Sequence, residues 1–186
     1  MKDLTGKSIA ILATHGFEQS ELQVPLEKLR GAGARVDIVS LKSGAIKGWD
    51  KDDWGESVPV DKTLSDVKAD DYDAIVLPGG QINPDLLRVE QSALDFIKSF
   101  WDDKKVVAAI CHAPWLLVET GIIKGRKVTS YPSVKTDVIN AGGVWEDSAV
   151  VTDQGLVTSR NPGDLDAFCD KIAEEINEGR HERRAA

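Results

Sequence analysis

The sequence predicts an α/β protein whose sheet is mostly parallel and doubly wound, with helices on both faces. Strand-like and helix-like segments alternate along most of the chain, and several of the strand-like segments are continuous apolar runs. Such runs are typical of strands covered on both faces, as in parallel sheets. The length of 186 residues fits one domain spanning 1–186, with a frayed tail expected from about residue 179.

The first hundred residues supply alternating strands and helices. Apolar runs predict strands at 8–13, 36–41 and 72–77, and apolar residues near helical spacing predict helices from about 18 to 30 and 84 to 101. The glycines at 31 and 33 resemble a dinucleotide-binding motif. That motif must follow a strand and open a helix, whereas this one follows a helix, so we interpret it as a helix C-cap and turn.

The rest of the chain predicts two hairpins and a final helix. Between 43 and 60 the alternation of strand-like and helix-like segments stops, and the segment contains Gly, Trp and Asp instead. This indicates an exposed hairpin carrying Trp49 and Trp54. These tryptophans are expected to pin that hairpin, the alternative being an assembly surface. A short strand at 128–130, a hairpin around 153–155 and a helix from about 162 to 176 follow. Cys169 lies within the apolar stripe of that helix and is expected in the core.

Cys111 is the strongest candidate for a reactive residue. It ends the apolar run 106–110 and is followed at once by His112 and by Pro114, which suits the first turn of a helix. A cysteine on a sharp strand-to-helix turn is the thiol analogue of a nucleophile elbow, where the helix N-terminus is expected to stabilise the thiolate. The alternative is a small apolar residue that ends a strand. The polar histidine and the helix-starting proline favour the reactive interpretation.

Two acidic residues and two glycines belong to the same predicted sheet edge. Glu18 and Glu21 follow the first strand and are three apart, so both side chains would line one wall, unless they are there only for the helix dipole. The amides of Gly79 and Gly80, with that of His112, are expected to form an oxyanion hole, although Pro-Gly-Gly is also an ordinary turn. Contact between the histidine and the adjacent thiol does not follow from sequence, because neighbouring side chains usually diverge at a turn.

The composition and charge of the chain limit the partners, location and cofactors that we expect. The net charge of −8 disfavours nucleic acid and anionic membranes, and no run approaches transmembrane length. The start lacks a signal-peptide pattern, and two cysteines argue against a disulfide framework, so the cytoplasm is expected. The basic cluster at 180–184 is interpreted as part of the frayed end. The three histidines show no metal-ligand spacing with the cysteines, so we expect no metal and no other cofactor.

These motifs together resemble the ThiJ/PfpI superfamily of flavodoxin-like proteins, and in particular its PfpI-like branch of intracellular cysteine protease-like and stress-associated members. The resemblance covers nearly the whole chain. The matching segments are 16–18 with Glu21, 73–80, 109–114, 125–132, 140–143, 157–160 and 164–165. Each segment is a weak signal alone, whereas Cys-His after an Ala-Ile strand end, with Pro-Gly-Gly upstream, is specific in combination.

The resemblance implies a role for each candidate residue. Cys111 would be the nucleophile in a strained backbone conformation, paired with His112. Glu21 matches the carboxylate that contacts the thiol, and Glu18 matches a second acid on the same wall. Asp85 falls where a neighbouring subunit of the PfpI-like branch supplies an acid to complete a triad, which implies a homodimer or higher homo-oligomer.

Two departures from related patterns matter. Ala113 stands where Cys-His-Gly-Pro is commoner, and alanine would disfavour a positive φ at that position. The glutamine amidotransferases of the superfamily need a His-x-Glu pair late in the chain. The only late histidine is His181 in the tail, so amide transfer is disfavoured.

The leading hypothesis from sequence is a stress-related, cysteine-dependent enzyme acting on small aldehydes or on glycated substrates, of the glutathione-independent glyoxalase or deglycase type. The first alternative is an oligomer-dependent intracellular peptidase that uses Cys111, His112 and a partner's acid at position 85. The second alternative is a non-catalytic redox sensor or chaperone in which Cys111 oxidises to a sulfinate beside Glu21.

Overall fold

The computed structural model describes residues 1–183, with the strands and helices in near-regular alternation. The strands are β1 (Ser8–Leu12), β2 (Phe17–Glu18), β3 (Arg35–Ser40), β4 (Ala45–Asp50), β5 (Asp53–Pro59), β6 (Lys62–Thr63), β7 (Ala74–Leu77), β8 (Val106–Ile110), β9 (Lys127–Val128), β10 (Val144–Trp145), β11 (Val150–Asp153) and β12 (Leu156–Ser159). The helices are α1 (Gln19–Gly31), α2 (Ile82–Leu87), α3 (Gln91–Asp102), α4 (Pro114–Glu119), α5 (Lys135–Asn140) and α6 (Leu165–Glu178). Across residues 1–183, every helix is too short or too polar to cross a membrane.

The central sheet has seven strands in the order β11-β12-β8-β7-β1-β3-β6. All neighbouring pairs are parallel except the β11–β12 hairpin, which is antiparallel. The predicted fold class is therefore confirmed. Because β1, β7 and β8 are adjacent and parallel, their carboxyl ends meet at one sheet edge, which is where the candidate residues follow in sequence.

Period-two alternation divides the side chains of β1 between two cores. Ile9 and Ile11 point to the face covered by α1 and α6, whereas Ala10 and Leu12 point to the face covered by α3 and α4. All four side chains are fully buried. This double coverage explains why the strand is a continuous apolar run rather than an alternating one.

The predicted hairpin between 43 and 60 is formed by β4 and β5. Trp49 and Trp54 face each other across it with ring centroids 5.6 Å apart in an edge-to-face arrangement, so the pair does pin the hairpin. Through β4 the hairpin also pairs with β2, at Phe17↔Gly48 and Glu18↔Trp49. The hairpin is thereby held beside the carboxyl edge of the central sheet.

The single helix predicted from about 84 to 101 is wrong, because the structure has two helices there. The amide of Arg88 donates to Pro84 O and closes α2, and Glu90 is extended (φ −95°, ψ 101°) before α3 begins. Restarting the helix turns the apolar stripe of α3 onto the sheet. Leu86 is 43% exposed, whereas Leu87 is fully buried.

The tail also differs from the frayed end expected from about residue 179. The amide of His181 donates to Lys104 O at 2.9 Å. The guanidinium of Arg183 stacks on Trp101, 3.6 Å from the ring centroid, and donates to the carbonyl oxygens of Trp101 and Lys105. A planar cation that meets an aromatic face and two carbonyl groups fixes the chain up to this residue. Position 184 of the basic cluster lies outside the described residues.

The two neighbouring leucines of α2 give a matched test of the corrected helix. We expect Leu87→Ala to lower the free energy of unfolding by about 2–5 kcal/mol, because it leaves a cavity in the core. Leu86→Ala removes the same atoms from a partly exposed site and should cost less than about 1 kcal/mol. Urea unfolding of both variants measures the difference, and equal losses would mean that both side chains are buried.

Candidate active site

Cys111 occupies the sharp turn between β8 and α4 in a strained backbone conformation. Its φ of 63° lies in the left-handed region, which is uncommon for a residue other than glycine. The turn is held from both sides, because the Cys111 amide donates to Ser159 O at 3.0 Å and Tyr131 N donates to Cys111 O at 2.8 Å. Ala113 has helical angles (φ −58°, ψ −25°), so alanine in place of glycine brings no strain there.

Glu21 lies fully buried in the first turn of α1, beside the cysteine. The amide of Gly79 donates to Glu21 Oε2 at 2.9 Å. Glycine is required at position 79, since a Cβ atom would lie 2.6 Å from that oxygen and 2.7 Å from Cys111 Cβ. Burial raises the pKa of Glu21 from its usual 4.5 to about 8, so the carboxyl group is protonated at neutral pH.

The position of the Glu21 proton follows from these contacts. Oε2 accepts the Gly79 amide, whereas Oε1 has no nitrogen or oxygen partner among residues 1–183. The neighbouring hydrogen-bonding group is the Cys111 thiol. The carboxyl proton is therefore on Oε1, and the protonated side chain is a proton donor close to the Cys111 thiol.

The Cys111 thiol is neutral in the resting site, contrary to the thiolate expected from the helix N-terminus. The residue is 6% exposed, and burial together with the nearby Glu21 raises the pKa of the thiol. The amides of Gly80 and His112 point toward sulfur and lower this pKa, but by less than burial raises it. The following helix, α4, has only six residues, so its dipole does not offset the desolvation.

His112 is the base next to this thiol, with Nδ1 3.1 Å from Cys111 Sγ. Its other nitrogen, Nε2, lies 3.2 Å from Ser133 Oγ. Tyr131 stacks on the imidazole at 4.8 Å between ring centroids, and Trp115 packs edge-on at 5.3 Å. Burial lowers the pKa of His112, so the imidazole is neutral and able to take a proton.

A cleft of about 430 Å³ opens above the thiol. One wall carries Glu18, which is half-buried and whose pKa is raised by burial. Trp49 and Lys51 of the β4–β5 hairpin line it as well, together with Ile82 of α2. A space of this size accepts a small aldehyde or a modified side chain, and its walls mix apolar and polar groups as ligand sites do.

Most of the candidate residues lie together in the structure, but Gly79 and Asp85 are not placed as their expected roles require. The Gly79 amide donates to Glu21 and is therefore not available for the expected oxyanion hole, whereas the amides of Gly80 and His112 point toward the Cys111 sulfur. Asp85 is exposed on α2 and is not among the residues that line the cleft of its own chain.

Tyr131 and Ser133 belong to the site but were not predicted from the sequence. Tyr131 lies in a segment that carried the family resemblance, and Ser133 follows it by two residues, but no role was assigned to either. The only signal available was a Ser-Tyr-Pro-Ser stretch of polar residues after a short strand. Asn83 was not predicted either. It is fully buried and joins two loops by accepting from Thr14 N at 2.7 Å and donating to Pro78 O at 2.8 Å.

Away from the cleft, three side chains are spaced as metal ligands often are. Glu175, Glu178 and His181 place one ligand atom each within 4.8 Å of one another. His181 Nε2 lies 3.1 Å from Glu175 O, and its Nδ1 lies 3.7 Å from the Glu175 carboxylate. A histidine that pairs with a carboxylate at a helix C-terminus explains this cluster without an ion. The second cysteine, Cys169, is fully buried in α6, as predicted.

Comparisons with known proteins agree with the geometry. "Putative cysteine protease YraA" of Bacillus subtilis is 43% identical over 163 residues, which cover 87% of this chain and 94% of that protein. "Deglycase PfpI" of Pyrococcus furiosus is 42% identical over 160 residues, covering 86% and 93%. The crystal structure of Drosophila melanogaster DJ-1beta superposes with a TM-score of 0.82 at 32% identity, covering 96% of this chain and 95% of that one. The model of the DJ-1/PfpI family matches residues 7–175, and this chain therefore belongs to the DJ-1/PfpI family.

Proposed function

We propose that this protein is a cysteine-dependent enzyme of the cytoplasm that acts on reactive carbonyls, as a glutathione-independent glyoxalase or a deglycase. The observation that carries the proposal is the Cys111 thiol on a strained turn between two proton-transferring groups, His112 Nδ1 at 3.1 Å and the protonated Glu21. The relatives named deglycases support the same class of substrate.

The first step would be addition of the thiol to an aldehyde. His112 takes the Cys111 proton, sulfur bonds to the carbonyl carbon, and the carbonyl π electrons move to oxygen. The amides of Gly80 and His112 face this region and stabilise the developing oxyanion. Glu21 then gives its proton to that oxygen, and the product is a neutral hemithioacetal.

The second step would be proton transfer within the adduct. For methylglyoxal, the Glu21 carboxylate left by the first step removes the proton from the carbon bonded to sulfur, and a proton returns to the neighbouring carbonyl carbon through an enediol. The result is a thioester of lactate. Water then attacks the thioester carbon, the sulfur leaves and regains its proton, and the net reaction is methylglyoxal plus water to lactate.

A second candidate function is peptide hydrolysis. It is favoured by the Cys111–His112 contact and by the relative named a cysteine protease. In this case the thiol attacks a peptide carbonyl, and an acyl-enzyme forms as the amine leaves. Since Asp85 does not line the cleft of its own chain, its participation requires a homo-oligomer in which a second copy supplies it.

The proposed role of the elbow cysteine is tested by lactate formation from methylglyoxal without glutathione. Cys111→Ala should lower turnover by roughly a thousandfold or more, because it removes the nucleophile. Cys169→Ala is the matched control, since it deletes a fully buried sulfur of α6 and should retain turnover. Equal loss in both variants would contradict the assignment.

The raised pKa of Glu21 predicts that stability depends on pH. The folded protein keeps this proton up to about pH 8, whereas the unfolded chain releases it near 4.5, so the stability it contributes is full below 4.5 and is lost as pH rises. We expect the free energy of unfolding to fall by at most about 5 kcal/mol across this window. Glu21→Gln mimics the neutral form and should flatten the profile while abolishing proton transfer.

Denaturation with urea at pH values from 4.5 to 9 measures both profiles. Glu27→Gln serves as the control, because Glu27 is exposed on the same helix, and its profile should follow that of the parent. If Glu21→Gln kept the full pH slope of the parent, the buried carboxyl group would not be the source of that slope.

The peptidase candidate predicts that Asp85→Ala lowers peptide cleavage by roughly a hundredfold, because an acid supplied to the histidine is lost. Glu90→Ala, which removes another exposed acid just before α3, should have no effect. The loss should be accompanied by unchanged oligomer mass in sedimentation. Cleavage that persists in Asp85→Ala would exclude a triad completed by that residue.

A further inference from the structure

We propose that Ser133 is a positioning residue that accepts the Nε2 hydrogen of His112 and thereby stabilises the imidazole that takes the Cys111 proton. The inference deepens the proposed function, on which its catalytic meaning rests. It follows from one contact, the 3.2 Å between Ser133 Oγ and His112 Nε2, on the side of the imidazole opposite the thiol. Cys111, His112 and Ser133 thus form a continuous hydrogen-bonded line within one chain.

The line is held rigidly by the backbone. Ser133 belongs to a 3₁₀ turn at Pro132–Val134, immediately after Tyr131. Tyr131 N donates to Cys111 O, and the Tyr131 ring stacks on His112 at an interplanar angle of 22°. The segment that carries the serine is therefore fastened to the cysteine turn, and the imidazole plane is fixed between them.

Only one tautomer of the neutral His112 can take the Cys111 proton. Burial raises the pKa of the Cys111 thiol and lowers the pKa of His112, so the resting pair is a thiol and a neutral imidazole. For Nδ1 to accept the thiol proton, the ring hydrogen must be on Nε2. The Ser133 hydroxyl oxygen accepts that hydrogen in this tautomer, whereas the hydroxyl would donate to Nε2 in the other.

The same contact stabilises the charged state that follows. Once His112 holds the thiol proton, both ring nitrogens are donors, and the ring is only 5% exposed. A buried N–H of an imidazolium without an acceptor costs more than one that is neutral. Ser133 supplies the acceptor on Nε2, so the chain completes its own proton relay without an acid from a second copy.

The test follows the reactivity of Cys111 toward iodoacetamide against pH, in a Cys169→Ala background. Ser133→Ala should lower the alkylation rate at pH 7 by about tenfold and move the midpoint of the pH profile upward, because the thiolate–imidazolium pair is less stable. Ser133→Thr keeps the hydroxyl and should stay within about twofold of the parent. Ser133→Asp should move the midpoint downward, because a carboxylate favours the imidazolium.

Ser99→Ala is the matched control, since it removes an exposed hydroxyl that donates to Asp95 O on α3. It should leave the profile unchanged. Midpoints that do not move in Ser133→Ala, or that move the same way in Ser133→Ala and Ser133→Asp, would overturn the proposal. Such results would assign the serine a packing role only.

The two proposals fail in different ways. In one outcome, the parent converts no methylglyoxal, while the alkylation midpoint shifts in Ser133→Ala and returns in Ser133→Thr. That result would support the positioning role and contradict the carbonyl activity. If the parent converts methylglyoxal and the midpoint does not shift, the activity stands and the positioning role falls. The kcat of Ser133→Ala should decrease more than its KM changes, because the serine acts on proton transfer rather than on binding.

Discussion

The hydrogen bond from the Gly79 amide to the buried Glu21 carboxyl group is the contact on which the site depends. It joins the start of α1 to the end of β7 and leaves so little room that a side chain at position 79 would collide with both the carboxyl group and Cys111. Burial of the carboxyl group raises its pKa by more than this hydrogen bond lowers it, which leaves a neutral proton donor beside the Cys111 thiol. In the proposed mechanism, reactivity then depends on proton movement among Glu21, Cys111 and His112 rather than on a pre-formed thiolate.

The local hydrophobic pattern predicted the fold well, because a strand that is covered on both faces is a continuous apolar run in the sequence. The apolar runs of β1, β7 and β8 and the turn after β8 fell where the structure has them. The break between α2 and α3 could not be predicted, since no glycine or proline marks it and it depends on how each helix meets the sheet. The docked tail was missed for the same reason, because the partner of Arg183 is the distant Trp101.

The same distinction between local sequence signals and distant contacts applies to the candidate site. Cys111, His112 and Glu21 were identified from turn chemistry and from family resemblance, and the structure brings them into contact. The protonation state of the thiol was not predictable, because it depends on burial that the sequence does not express. Ser133 was missed because it reaches the imidazole from a segment twenty-one positions downstream, and only the folded chain brings them within hydrogen-bond distance.

The order of the central sheet also has a consequence for association with other chains. One outer strand, β6, has two residues and begins with a lysine, so it offers almost no row of free amides and carbonyls to an incoming strand. At the other border, the Lys127 amide of β9 donates to the Asp153 side chain of β11 at 2.9 Å. The β6 margin of the central sheet is thereby protected against edge-to-edge aggregation, and the opposite margin is partly covered by β9.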